Sequence, residues 1–464
     1  MPSKTTVRFI SLGCPKNLVD SEVMAGQFIN ERFTVVPSDS ASDVAVVNTC
    51  GFIEAAKQES IDTLLAIAGE KKKGNLKLLV AAGCLTQRYS KELPALLPEV
   101  DAFIGTGDFS RLALVIHNKL GGDRKRNFVE YPKDLPAAVT PRVYATPAYS
   151  RYVKIAEGCS HSCSFCIIPK MRGPLNSRPL DDVVEEIRRG CDEGVREFNL
   201  ISQDLNEYGR DRRPAPMGSV AGAGGQAGAI EGTSLFSLLT KIADLPGDFW
   251  VRLLYMYPLQ FPDRLIELIR DHPHLCKYVD IPLQHIDDAI LKSMRRGSSS
   301  RYIYRLINRL KEKIPGIILR TTFITGYPGE SDGAFEKLVQ FVKETEFDRL
   351  GVFAYSDEEG TPAFDLKAQV PKKIREERRD YLMEVQQKIS LKKNRAYVGR
   401  TLRALYEGPS DQNEYPGSGR FYGQAPEIDG EILTRKRKAA PGDFVDVKIT
   451  DAFEYDLLGE IVNS

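Results

Sequence analysis

The stretch Glu157-Gly158-Cys159-Ser160-His161-Ser162-Cys163-Ser164-Phe165-Cys166 decides how the rest of the chain is read. Its cysteines are spaced C-x3-C-x2-C and follow directly on a β-rich run at 152–156. Three thiolates so spaced can wrap one corner of an iron-sulfur cube, and since such a cube usually takes four cysteines, one iron stays open to an exogenous ligand. The competing arrangement is a structural zinc site of three Cys and one His, completed by His161 or another side chain. His161 sits between two ligands in so tight a loop that joint ligation would be strained. Phe165 has no use in a zinc knuckle but suits the side of a bound adenine. We read the run as a cluster site at a barrel mouth.

Downstream of it, β-rich runs at 197–202, 250–255, 278–282, 317–322 and 350–355 alternate with helical patterns at 181–192, 235–243, 263–270, 301–313 and 334–345. Six such repeats predict an open, partial (β/α)6 barrel whose chemistry lies at the carboxyl ends of its strands. A long charged helix, 372–397, closes the region. Upstream, runs at 7–12, 44–48 and 76–82 alternate with helical stretches at 20–30, 54–69 and 110–120, which predicts a parallel sheet. From Gly399 onward, short strands at 401–406, 431–433, 444–449 and 458–462 between Gly, Pro and Asp turns predict a small antiparallel β-barrel. The expected architecture is therefore α/β in three domains, at 5–122, 145–386 and 387–464. Arg213 to Gly232, rich in Gly and Ala, reads as a flexible insertion with no assigned function.

The first domain holds a second, dispersed set. Cys14, Cys50 and Cys84 each fall just past a candidate strand and beside a glycine. In a parallel sheet those positions share the carboxyl edge, where open α/β sheets bind ligands. Each alone would be a buried structural cysteine, but the repetition points to a second three-ligand cluster, with the glycines admitting a bulky inorganic core. Cys191 and Cys276 show no partner spacing and read as structural.

At these residues the chain resembles the radical S-adenosylmethionine (SAM) enzymes, and within them the methylthiotransferases, across nearly its whole length. The runs Ser11-Leu12-Gly13-Cys14-Pro15-Lys16-Asn17-Leu18-Val19-Asp20-Ser21-Glu22, Pro282-Leu283-Gln284-His285 and Ala425-Pro426-Glu427-Ile428-Asp429-Gly430 are similar to the branch that modifies a ribosomal protein. The tRNA-modifying branch usually carries Gln-Met-Asn after its first cysteine. The resemblance implies methylthiolation of the β-carbon of an aspartate in small-subunit ribosomal protein S12. It implies that Cys159, Cys163 and Cys166 hold a 4Fe-4S cluster whose open iron chelates SAM, and that Cys14, Cys50 and Cys84 hold an auxiliary 4Fe-4S cluster concerned with sulfur. Phe165 would line the adenine site, Ile324 and Gly326 would add backbone contacts to SAM, and the tail would be a TRAM domain. It also implies a low-potential electron donor and a sulfur donor. An unactivated C–H bond has no useful acidity, so one SAM would be cleaved to a 5′-deoxyadenosyl radical while a second gives its methyl group to sulfur.

Charge speaks to the substrate separately. The chain of 464 residues carries 64 basic and 63 acidic side chains, and the balance holds in each expected domain. An enzyme acting on tRNA adenosine would be expected to show a basic face, so balance favours a protein substrate that is itself basic. Lys71-Lys72-Lys73 and Arg435-Lys436-Arg437-Lys438 read as solvated runs; Glu427, Asp429 and Glu431 are candidate contacts for a basic partner, the first two equally readable as turn residues. His285 reads as a core histidine. No apolar run approaches the roughly 20 residues that span a bilayer, and the amino terminus shows no signal core, so the expected location is cytoplasmic. A different class, a zinc-stapled RNA-binding protein without catalysis, is the alternative that iron and sulfide content distinguishes.

Overall fold

A computed structural model describes residues 4–29, 32–131, 135–212, 232–259, 261–412, 414–435 and 439–463. The insertion at 213–232 lies outside the described residues except for its last glycine, as do three residues of the basic run at 435–438.

The first domain is built on β1 (Thr5–Ser11), β2 (Phe33–Val36), β3 (Val44–Thr49), β4 (Leu78–Gly83), β5 (Ala102–Ile104) and β6 (Asn127–Phe128). All pairs are parallel, in the order β2-β1-β3-β4-β5-β6. The strands β3 and β4 are buried along their whole length, as a sheet covered on both faces requires. Helix α1 (Pro15–Gly26) packs Met24 against one face, and α2 (Glu54–Lys72) packs Leu64 and Ala68 against the other. The order reverses between β1 and β3, and ligands bind at that crevice in doubly wound sheets. The sequence pattern missed β2, β5 and β6, which are short, and placed the start of α1 late: Pro15 at its first turn begins the helix directly after Cys14.

The second sheet comprises β7 (Ser150–Lys154), β8 (Glu197–Ile201), β9 (Trp250–Leu253), β10 (Leu275–Asp280), β11 (Ile318–Thr325) and β12 (Arg349–Ala354), all parallel and in sequential order. Alternate residues face opposite ways. Phe198, Leu200, Val251, Val279 and Leu319 pack on the surrounding helices. Tyr152, Ile201, Trp250, Cys276, Tyr278 and Ile318 face the concave side.

That concave side is filled by the tail. Strands β13 (Thr401–Pro409), β14 (Gly417–Phe421), β15 (Ile432–Thr434), β16 (Phe444–Ala452) and β17 (Leu457–Asn463) close a barrel in which β15 and β17 pair in parallel, the other pairs being antiparallel. Leu405, Phe421 and Val447 join the strand residues above in one core. Buried charges cross the same interface. Arg420 donates to Glu197 at 2.8 Å and to Glu407 at 2.9 Å, while Arg252 donates to Glu197 at 3.0 Å. Tyr278 donates its hydroxyl to Asp429 at 2.7 Å.

Candidate cluster centre

Six of the eight cysteines, those of both triplets, line one cavity of about 500 Å³, within the roughly 300–1,000 Å³ usual for ligand sites. Cys191 and Cys276 do not line it. Cys14 caps the amino end of α1, Cys50 follows β3, and Cys84 opens a short helix (Cys84–Arg88) after β4, so three strand ends at the sheet's switch point deliver the first set. The second set arrives on the loop after β7.

Glycine does something other than admit an inorganic core. A Cβ on Gly83 (φ +96°) would stand 2.2 Å from Asn48 Oδ1 and 2.7 Å from the Thr49 carbonyl oxygen. One on Gly13 (φ +89°) would stand 2.8 Å from Cys50 Cβ. These glycines let the cysteine loops pack on each other. Asn17 ties them further, donating to the Leu12 carbonyl at 2.9 Å and the Thr49 carbonyl at 3.1 Å.

Burial pushes the Cys84 and Cys166 thiols up to about 12 and the Cys159 thiol up to about 11, and raises Cys50 as well. Buried neutral thiols shed their protons when a metal takes the sulfur. No Asp or Glu lines the cavity among the described residues. Two sets of three soft thiols without carboxylates fit iron-sulfur clusters. His161 beside the second triplet has its Nε2 2.7 Å from Asp204 Oδ2 and its ring stacked on Tyr257 at 4.0 Å.

Beneath the cavity lies a buried ion network joining the two domains. Arg172 donates to Cys84 Sγ at 3.3 Å, to Asp20 at 3.0 Å and to Glu157 at 2.9 Å. Lys154 donates to Glu157 at 2.6 Å and to Asp20. Burial alone would raise the Glu157 carboxyl, but Arg172 and Lys154 outweigh it and hold the group well below the usual carboxylate range. Across the cavity, Arg296 donates to Cys163 Sγ at 3.5 Å and stacks on Tyr257 at 4.1 Å. Lys16 lies over the Tyr255 ring, 3.1 Å from its centroid, and burial lowers its ammonium to about 8. Tyr255 (φ 68°) and Gln284 (φ 72°), both on the cavity wall, hold left-handed backbone without being glycine, a strain that concentrates at functional sites.

Phe165 lines the cavity; Ile324 and Gly326 do not. Ile324, like Phe165, packs against the buried cluster that holds Tyr327 and Tyr355, and Gly326 (φ +71°) makes room for Arg375, whose Cγ a Cβ would meet at 2.2 Å. His285 is fully buried, 3.2 Å from Glu330 Oε2, and is a core histidine. Asp429 is a turn residue: besides Tyr278 it accepts the Ala425 N–H at 2.9 Å and leaves only 3% of its side chain exposed, so it is no partner contact. Glu427 holds a turn at φ 67°.

Family models match the chain at residues 6–105 (uncharacterized protein family UPF0004), 153–342 (radical SAM superfamily) and 398–462 (TRAM domain). The ribosomal protein uS12 methylthiotransferase RimO of Geotalea uraniireducens (strain Rf4) is 47% identical over 99% of both chains. That of Geobacter sulfurreducens is 44% identical over the same shares. The chain belongs to the RimO family of radical SAM methylthiotransferases. The fold is also that of the radical SAM methyltransferase TsrM from Kitasatospora setae, solved with cobalamin and a 4Fe-4S cluster, at a TM-score of 0.55 and 15% identity over 78% of this chain and 74% of that one. Within this family frame the cysteines were visible from spacing and strand ends. Lys16, Arg172 and Arg296 were not, because charged side chains mark a site only once the fold brings them to it.

Proposed function

We propose that this chain replaces a hydrogen on the β-carbon of an aspartate in small-subunit ribosomal protein S12 with a methylthio group. The observation that carries the reading is the convergence of two cysteine triplets, each one ligand short of a closed cube, on a single cavity. Two 4Fe-4S clusters and SAM, when bound, supply the radical and sulfur chemistry that no side chain here can. Cys159, Cys163 and Cys166 would hold one cluster and Cys14, Cys50 and Cys84 the other, with Phe165 beside the adenine and Ile324 and Gly326 supporting that wall. Arg172 and Arg296 each bring a donor to one triplet and so orient its sulfurs. Exclusion of water falls to the apolar wall, including Ile53, Ile168, Met171 and Met256, and to the half-open rim of Phe52 and Phe353. The chemistry requires a low-potential electron donor and a sulfur donor, and the domains expected at 5–122, 145–386 and 387–464 divide the work. No helix among the described residues is long and apolar enough to cross a membrane.

The test is anaerobic reconstitution, iron and sulfide quantification, and mass spectrometry of S12 incubated with SAM and reductant. One methylthio group on one aspartate is expected. Zinc in place of iron, or modification of tRNA with S12 untouched, would reject the reading.

A further inference from the structure

Lys16 differs from the other buried cations around the cavity. Lys154 and Arg172 share Asp20 and Glu157, Arg88 holds Glu358, and Arg296 donates to the Pro282 carbonyl. Lys16 is only 7% exposed and lines the cavity, yet among the described residues no carboxylate forms an ion pair with it and no acceptor takes its protons. The nearby carboxylates are committed elsewhere: Asp280 to Arg320 and to the Tyr255 N–H, Glu157 to Lys154 and Arg172. Among the described residues the face of Tyr255 is its one direct partner, Asp280 and Glu157 acting on it only from beyond ion-pair distance, and a ring face offsets the burial of a full charge only in part. A buried cation left with cavity on its open side is a site for an anion that arrives with a ligand.

We propose that Lys16 binds the side-chain carboxylate of the target aspartate and thereby selects an acidic residue for modification. This rests on the function proposed above. The reacting β-carbon is bonded to that carboxylate, and Lys16 stands two residues from Cys14 in the loop of the first triplet. An ammonium holding the carboxylate therefore brings the carbon to the sulfur-bearing side of the cavity. The second carboxylate that enters the cavity is that of SAM, and the experiment separates the two.

Holoenzymes carrying Lys16→Met, which keeps an unbranched chain over Tyr255, and Lys16→Arg, which keeps the charge, are compared with wild type. The readouts are binding of an S12 peptide bearing the target aspartate, binding of the same peptide with asparagine there, SAM affinity, and iron and sulfide content. Lys16→Met is expected to weaken the aspartate peptide on the order of 30-fold or more while leaving the asparagine peptide, SAM affinity and iron as in wild type. Lys16→Arg should recover most of the loss. Equal loss on both peptides, loss of SAM affinity with the aspartate preference intact, or loss of iron (Lys16 then being a counter-charge for the cluster) would each overturn the assignment. So would an undiminished aspartate preference in Lys16→Met. Wild type that binds neither peptide would instead reject the ribosomal-protein reading, and this assignment with it.

Discussion

At the scale of single residues, the two triplets predict separable losses. Cys14→Ala is expected to remove the iron of the first triplet and abolish sulfur insertion while SAM cleavage stays measurable; equal loss of both activities would contradict the division of labour. The thiols give a second check. With Cys84 and Cys166 pushed up to about 12 by burial, metal-free protein should react slowly with iodoacetamide near pH 8 and faster as pH rises, because the thiolate is the nucleophile. Rapid labelling of either residue near neutrality would contradict their burial. Cysteine is legible in a sequence because few residue types do its chemistry. Arg172 is one of many arginines, and its partners Asp20 and Cys84 lie 152 and 88 positions away.

At the scale of elements, three strand ends are held at one point by loops that tolerate no extra atom. Gly83→Ala forces an L residue to φ +96° and sets its Cβ against Asn48 and Thr49. Such backbone strain costs on the order of 1–3 kcal/mol. The variant should unfold at lower urea concentration and bind less iron at the first triplet while Cys159, Cys163 and Cys166 keep theirs. Wild-type stability with full iron would show the loops to be more pliant than their packing implies. The alternation of apolar runs announced β3, β4 and the six barrel strands. It missed β14, Gly417–Phe421, because two glycines, a serine and an arginine in a buried ion pair leave Phe421 as its one large apolar residue.

At the scale of the whole molecule, the tail completes the middle domain. Burial alone would raise Glu197, but Arg420 and Arg252 hold it well below the ordinary carboxylate range. Unfolded chain, with a carboxyl near pH 4.3, then takes up a proton that folded protein refuses. The stability from this group is present above that pH and is lost as pH falls. Glu197→Gln should cost about 3–5 kcal/mol near pH 7, as breaking a buried pair does, and less near pH 4; urea unfolding at both pH values measures it, and a pH-independent difference would reject the argument. Composition suggested a separate small barrel and its closure was legible, but not its place, since an interface of polar partners far apart in sequence leaves no local pattern. That distance has a meaning in time. Arg420 is made 223 residues after Glu197, and at about 5–20 residues per second synthesis takes on the order of 10–45 s to reach it. Until then Glu197 on the concave face has Arg252 but lacks Arg420, so the final consolidation of the middle domain belongs to the end of translation, and a ribosome stalled before residue 420 should display it as protease-sensitive.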